Sequence, residues 1–413
     1  MSKAFYSMGC GDRFACQGSA QLRAFVEAAK QGVVVSPVWN KSHREHTTVH
    51  SEPGSVRVEA DAAVQALGWT KPYFVDADHI SLKNVDGFMD SSDFFTLDVT
   101  EFIGQAAAPA DVDAFVKAMG CYAGDIQLPG VTETLQVSEA KLREIALTYL
   151  FAVQEAGRIY RHIAERKQGA FEVEVSMDET DDPQSPVEML FILAMIAREA
   201  IPLDTIAPKF SGRFNKGVNY VGDLAQFEKE FELDVAALRF ASEQFGLKDC
   251  LRLSIHSGSD KFSIYPVMNR IIKKFDTGLH LKTAGTTWLE EVIGLAEAGG
   301  DGLAVAKKIY FGALNRYDEL AAPYAAVIDI DPQQLPSVET VNGWSSENYV
   351  RTLRHDSDCP DYNPSFRQLI HVAYKVAFEL GDEYMHALEK HADIVGKNVT
   401  HNFLERHLVP IFG

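Results

Sequence analysis

Positive charge is scarce in this chain: 39 Lys and Arg stand against 58 Asp and Glu in 413 residues, a formal net charge of −19. So acidic a molecule repels phosphate backbones and anionic lipid, which argues against nucleic acid and membrane as partners. Long hydrophobic runs are missing too, and no stretch approaches the ~18 apolar residues of a spanning helix. The opening Met1-Ser-Lys-Ala-Phe-Tyr6 has neither the apolar core nor the small-residue cleavage site of a signal peptide, so a cytoplasmic location is expected. Cysteine is sparse: Cys10, Cys16, Cys121, Cys250 and Cys359 are odd in number and lack the spacing of a zinc site, which fits reduced thiols. A dinucleotide fingerprint is also lacking. Gly9-Cys-Gly11-Asp-Arg-Phe14 begins like G-x-G-x-x-G but ends in Phe, and no nicotinamide is expected. His43-Arg-Glu-His46 lacks the spacing of a zincin helix and reads as loop.

What is present is the composition of a globular protein, 46% apolar and 23% charged, with material for a large core. Apolar runs alternate with amphipathic stretches over the first three hundred or so residues, the βαβα rhythm of a parallel sheet. Strands are predicted near 5–9, 33–38, 73–78, 94–99, 171–178, 204–209, 251–256 and 279–283. Eight strands close a (β/α)₈ TIM-type barrel, for which ~250 residues suffice. Ser185-Pro186 marks the start of a helix over 187–199, and Asp223 and Gly246 bracket another over 224–245. Between the fourth and fifth strands, 105–169 is too long for a simple connection and contains a strong helix over 139–166. It is read as a helical insertion over the C-terminal face of a barrel spanning 1–301. Residues 302–413 read as a mostly helical C-terminal extension that closes over the barrel mouth.

Several strands end in polar residues that a structural strand does not need. In the fifth, Val173, Val175 and Met177 alternate with Glu172, Glu174, Ser176 and Asp178. The outer face of a barrel packs on helices, so the acidic face points inward, where carboxylates need a cation or a hydrogen-bond network. Internal ion pairs with Arg252 or Lys209 satisfy that need, and so does a metal site. The seventh strand sends Arg252, Ser254 and His256 inward, with His256 at its end and the Ser257-Gly-Ser loop after it suited to an oxygen-rich ligand. In the third, alternation puts Asp76 and Asp78 inside and leaves His79 at the lip; a solvated turn with an Asp cap explains this block as well as a site does. By helical periodicity His371 is a core histidine, unless the tail folds back across the mouth. Arg13, Lys209, Lys261 and Lys282 lie near strand ends, a basic set suited to an anionic substrate group, although singly each reads as an ordinary ion pair.

The blocks Gly11-Asp12-Arg13, Asp76-Ala-Asp-His79, Glu174-Val-Ser-Met-Asp-Glu-Thr180, His256-Ser-Gly-Ser-Asp-Lys-Phe-Ser263, Lys282-Thr-Ala-Gly-Thr286 and Arg367-Gln-Leu-Ile-His371 resemble those of the tagaturonate epimerase family. These bacterial enzymes interconvert tagaturonate and fructuronate. The similarity runs from about Ser7 to the last helix, with two departures. Relatives carry a further N-terminal segment before the Gly-Asp-Arg block, which bears on oligomer contacts. Lys209 stands where some have Arg, which bears on how the substrate carboxylate is held.

The resemblance implies a metal-dependent hexuronate epimerase. The inverted carbinol lies one bond beyond the carbon next to the ketone, so its hydrogen is not acidified, and no nicotinamide fingerprint supports transient oxidation. Retro-aldol cleavage, rotation of the aldehyde fragment and re-addition remain, with a divalent metal stabilising the enediolate and an acid/base residue moving the hydroxyl proton. Asp178, His256 and His371, with His79 as fourth, are the implied ligands of a Zn²⁺, Mn²⁺, Ni²⁺ or Co²⁺ ion. Asp78 and Glu179 are the acid/base candidates, and Arg13, Lys209, Lys261 and Lys282, assisted by Ser257, hold the carboxylate and hydroxyls. A ketose isomerase or class II type aldolase on the same barrel is the nearest alternative, and a non-catalytic sugar-acid binding protein the second. The expected partner is a small sugar acid, with a homo-oligomer compatible.

Overall fold

The computed structural model describes residues 5–283 and 285–413; Met1–Ala4 of the N-terminal reading and Ala284 of the Lys282 block lie outside the described residues. Eight parallel strands form the barrel: β1 (Tyr6–Gly11), β2 (Ser36–Ser42), β3 (Phe74–Ile80), β4 (Phe94–Asp98), β5 (Glu172–Ser176), β6 (Thr205–Ala207), β7 (Arg252–His256) and β8 (Leu279–Lys282). Neighbours follow chain order, and β8 closes the ring on β1 with Tyr6 opposite Leu279. The expected (β/α)₈ fold is therefore present. The strand ends shift by up to four residues from the sequence reading, and two of the shifts have a visible local cause. The apolar run at 33–35 closes the preceding helix, where the Val33 N–H donates to the Ala28 carbonyl, so β2 starts at Ser36 and buries Asn40 and Lys41. β6 stops at Ala207 because Pro208 has no N–H to extend the ladder.

Helix boundaries follow their caps. Pro186–Arg198 opens with a capping box in which the Glu188 N–H donates to Ser185 Oγ and the Ser185 N–H donates to the Glu188 carboxylate. Leu224–Phe245 opens on Asp223 and ends at Gly246, whose φ of 73° is a left-handed position suited to glycine.

The segment 105–169 does not roof the mouth. Its main helix, Glu139–Arg166, packs on Pro109–Met119 and Pro186–Arg198 and thus serves as the outer helix between β4 and β5. The reason is its buried stripe of Leu142, Ile145, Ala146, Tyr149, Val153 and Ala156, which has the width of a wall helix. Among the described residues none of this segment lines the central cavity.

The helices after Gly300 pack against helices of the barrel wall. Ala392–His401 packs on Thr286–Ala298 and Gly18–Lys30. Gly294 permits this contact, since a Cβ there would lie 2.6 Å from Val395 Cα. Pro364–Val372 reaches the mouth, anchored by a 2.8 Å hydrogen bond from Trp288 Nε1 to the Ile370 carbonyl. Among the described residues no helix is long and apolar enough to cross a membrane.

Candidate active site

The C-terminal ends of the strands open into a cavity of about 320 Å³, where function concentrates in barrels of this kind. His79, Asp178 and His256 meet there with donor atoms within 4.8 Å of one another, so this set could hold a metal ion. His79 arrives by a local irregularity. The register of β3 against β4 shifts between Ala77 and Ile80, and His79 takes φ 53°, a left-handed conformation uncommon for a side chain of this size. The bulge breaks the alternation and brings His79 Nε2 to 3.4 Å from Asp178 Oδ1.

Each histidine then has one nitrogen on an outer carboxylate and the other facing a shared point. His79 Nδ1 lies 2.7 Å from Asp78 Oδ1, and His256 Nε2 lies 2.8 Å from Glu174 Oε1. His256 Nδ1 is 3.1 Å from Asp178 Oδ2 but is buried without a correctly angled hydrogen bond. That is the arrangement of metal-ligating imidazoles, whose second nitrogens are oriented by carboxylates, and these residues fit a cation.

Beneath them Lys282 Nζ contacts Asp76 Oδ2 at 2.9 Å, Asp78 Oδ1 at 2.8 Å and Glu174 Oε1 at 3.4 Å. Burial opposes charge on Asp78 and Glu174, but Lys282 and the adjacent histidine hold each well below the usual carboxylate range. Burial pushes Asp76 up to about 6 against the pull of Lys282. Lys282 therefore braces both carboxylates that orient the histidines. The internal network considered from sequence exists, with different partners: Arg252 pairs with Glu172 at 2.5 Å, and Lys209 takes no part in it.

The cavity gathers Arg13, Asp78, His79, Asp178, Glu179, His256, Lys282 and His371 from the expected set, and does not gather Lys209, Ser257 or Lys261. Lys209 follows the Pro208 stop and donates to the Thr180 carbonyl. Ser257 Oγ donates to the Lys282 carbonyl at 3.0 Å, inside the wall. Lys261 is fully buried, donates to Ser259 Oγ at 3.0 Å, and is pushed down to about 7 by burial. Arg13 pairs with Glu45 at 3.2 Å. His371 lines the cavity but is not one of the three converging donors. Both its ring nitrogens are buried without a partner, and burial, then Arg13 and Lys216, keep it neutral. A Cβ on Gly285 would lie 2.1 Å from His371 Nε2, so the ring depends on that glycine.

Arg44, Lys216 and Tyr324 also line the cavity and lie outside the set expected from sequence. Residues 43–46, expected as loop, instead begin the helix His43–Thr48, because Ser42 and Glu45 form a capping box at the end of β2, and this places Arg44 at the mouth. Nothing local marks Lys216 or Tyr324.

A second buried cluster docks the extension. Asp260 Oδ2 accepts from Arg367 at 2.8 Å and lies 3.2 Å from His355 Nδ1, while Oδ1 accepts from Thr286 Oγ1 at 3.1 Å. Arg367 also donates to the carbonyls of Gly217 and Leu353, at 2.6 and 2.9 Å. Nearby, burial raises Glu290 to about 7 although Arg367 pulls it down; it accepts from Asn402 Nδ2 at 3.0 Å. Between its ordinary range and pH 7 the folded protein keeps a proton that the unfolded chain releases, so this group lowers stability as pH rises through that window. Glu290→Gln keeps the acceptor and removes the titration. In denaturant unfolding it should add about 3 kcal/mol at pH 8.5 and almost nothing at pH 4; an equal effect at both values refutes the assignment.

A (β/α)₈ barrel with histidines and carboxylates at the C-terminal strand ends is the architecture of a barrel enzyme. The sequence matches the tagaturonate epimerase family over residues 1–409, and the chain belongs to that family, placing it among isomerase-class enzymes. A tagaturonate/fructuronate epimerase of Thermotoga maritima is 27% identical over 421 aligned residues, 97% of this chain and 80% of that protein. A glycerol complex of the fructuronate-tagaturonate epimerase of Cohnella laeviribosi superposes with TM-score 0.81 at 24% identity, covering 100% of this chain and 82% of that one. The native form of the same enzyme gives 0.79 at 24% identity, covering 98% and 82%. At that identity these structures share the fold.

Proposed function

We propose that this protein interconverts D-tagaturonate and D-fructuronate at the barrel mouth by retro-aldol and aldol chemistry. The observation that carries the reading is the convergence of His79, Asp178 and His256 within 4.8 Å in a member of the tagaturonate epimerase family. A divalent Zn²⁺, Mn²⁺, Ni²⁺ or Co²⁺ ion suits these nitrogen and oxygen donors and, when bound, stabilises negative charge developing at the substrate carbonyl oxygen. Asp78 and Glu174 orient the two imidazoles. Glu179 lines the cavity with no side-chain hydrogen bond among the described residues, so it is the group free to take and return the hydroxyl proton. Asp78, bonded to both Lys282 and His79, acts through His79. His371 offers a neutral nitrogen from the extension, and we read 302–413 as a cap that completes a barrel of 1–301.

Incubation with fructuronate should yield tagaturonate. Accumulating three-carbon fragments or an aldose would favour the aldolase or isomerase alternative, and binding without turnover a sensor. In D₂O the retro-aldol route leaves hydrogen on the inverted carbon. Mass spectrometry showing solvent deuterium at that carbon, or nicotinamide released on denaturation, would overturn the route. Chelation should abolish turnover and one of the four ions restore it.

A further inference from the structure

Most cations expected to meet the substrate are already committed: Lys282 to three carboxylates, Lys209 and Lys261 to oxygens outside the cavity, and Arg13 to Glu45. Two further cations that line the cavity make no ion pair among the described residues, whereas Arg13 pairs with Glu45 and keeps Nη1 buried without a hydrogen bond. Arg44 sits on the short helix His43–Thr48 at the end of β2, with its guanidinium carbon 5.1 Å from the centre of the Tyr324 ring. Among the described residues no carboxylate lies within ion-pair distance of it, and Lys216 Nζ has no hydrogen-bond partner. Yet the chain around Lys216 is fixed. Its N–H donates to the Val327 carbonyl at 2.7 Å, and the next residue, Gly217, is held by Ser259 Oγ at 2.8 Å and by Arg367 at 2.6 Å. Gly258 makes room for the side chain, since a Cβ there would fall 3.0 Å from Lys216 Nζ. The rim that supports Arg44 is equally built, with the Tyr324 hydroxyl 3.0 Å from that of Tyr374, over whose ring Arg13 lies at 4.6 Å.

An unpaired, half-buried ammonium beside a guanidinium costs free energy unless an anion joins them. Burial and Arg44 draw the Lys216 pKa down against the weaker opposing pull of Glu179, Glu45 and Asp178, and a bound carboxylate adds to that pull. We propose that Arg44 and Lys216 form the receptor for the substrate carboxylate and make the enzyme selective for hexuronates over neutral ketohexoses. The proposal rests on the epimerase reading above. It also serves the chemistry. In the retro-aldol step the carbinol O–H gives up its proton, the bond between the carbinol and the carbon next to the ketone breaks, and the electron pair passes toward the ketone oxygen. The reverse step re-forms the bond on the other face, with no co-reactant. The carboxylate belongs to the aldehyde fragment, so anchoring it retains that fragment while the bond is open.

Arg44→Met and Lys216→Met keep volume and remove charge. Each should lower the ratio of kcat/KM for fructuronate to kcat/KM for D-fructose about 10- to 100-fold, chiefly through KM for the uronate, with metal content unchanged. Calorimetry with D-glucuronate as an unreactive probe should show the same loss of affinity. An unchanged ratio, or an equal fall for charged and neutral substrates, overturns the proposal. If the native enzyme turns over no ketouronate, the epimerase reading falls instead, and the glucuronate titration still decides whether these two residues bind a carboxylate.

Discussion

On the proposed metal-dependent reading, replacing His256 by alanine is expected to reduce turnover about 1,000-fold or more and to lower metal binding with it, while the barrel stays folded. The ring supplies one of three converging donors, and two remaining donors hold a divalent ion poorly. The fold survives because Glu174, which loses its imidazole partner, keeps Lys282 at 3.4 Å, Thr205 Oγ1 at 2.8 Å and Thr96 Oγ1 at 3.2 Å, so no charge is orphaned. Metal analysis, circular dichroism and turnover on one preparation check this. Full metal occupancy in the variant removes His256 from the ligand set; an unfolded protein shows that the ring is structural.

Asp260→Asn should cost about 3–5 kcal/mol of stability, because it leaves the fully buried Arg367 without its balancing charge. The damage extends to the site, since Arg367 precedes His371 by one helical turn and clasps the loop that carries Lys216. Asp260→Asn combined with Arg367→Met removes both charges and should recover most of the stability in urea unfolding. It should not recover activity, because the Gly217 carbonyl has then lost its donor. A loss below about 1 kcal/mol in the single variant would show that the ion pair is not what docks the extension.

Much of the wall was legible. Capping signals at Ser185, Asp223 and Gly246 are local, and the helices start and stop there. Alternation on β5 and β7 put Glu174 and His256 on the inner face, where they now meet at 2.8 Å. Segment 105–169 departs from expectation because length alone does not tell a roof from a wall, whereas the apolar stripe on Glu139–Arg166 requires a wall. Lys209 and Lys261 depart for another reason. Position near a strand end says where a charge could point, but Pro208 and Ser259 had already claimed their directions.

The sequence by itself determined the barrel, its strand count and the residue types at the strand ends, because periods of two and of 3.6 residues are set by backbone geometry within a few residues of each position. Tertiary structure alone decided the working site. It turned His79 inward through a register shift against β4, placed His371 in the cavity wall on a helix docked at Asp260, and left Arg44 and Lys216 without a direct ion pair among the described residues while pairing Lys282. Those outcomes depend on which distant side chain reaches each charge first, and in a low-dielectric interior that partner sets both the direction and the protonation of the group.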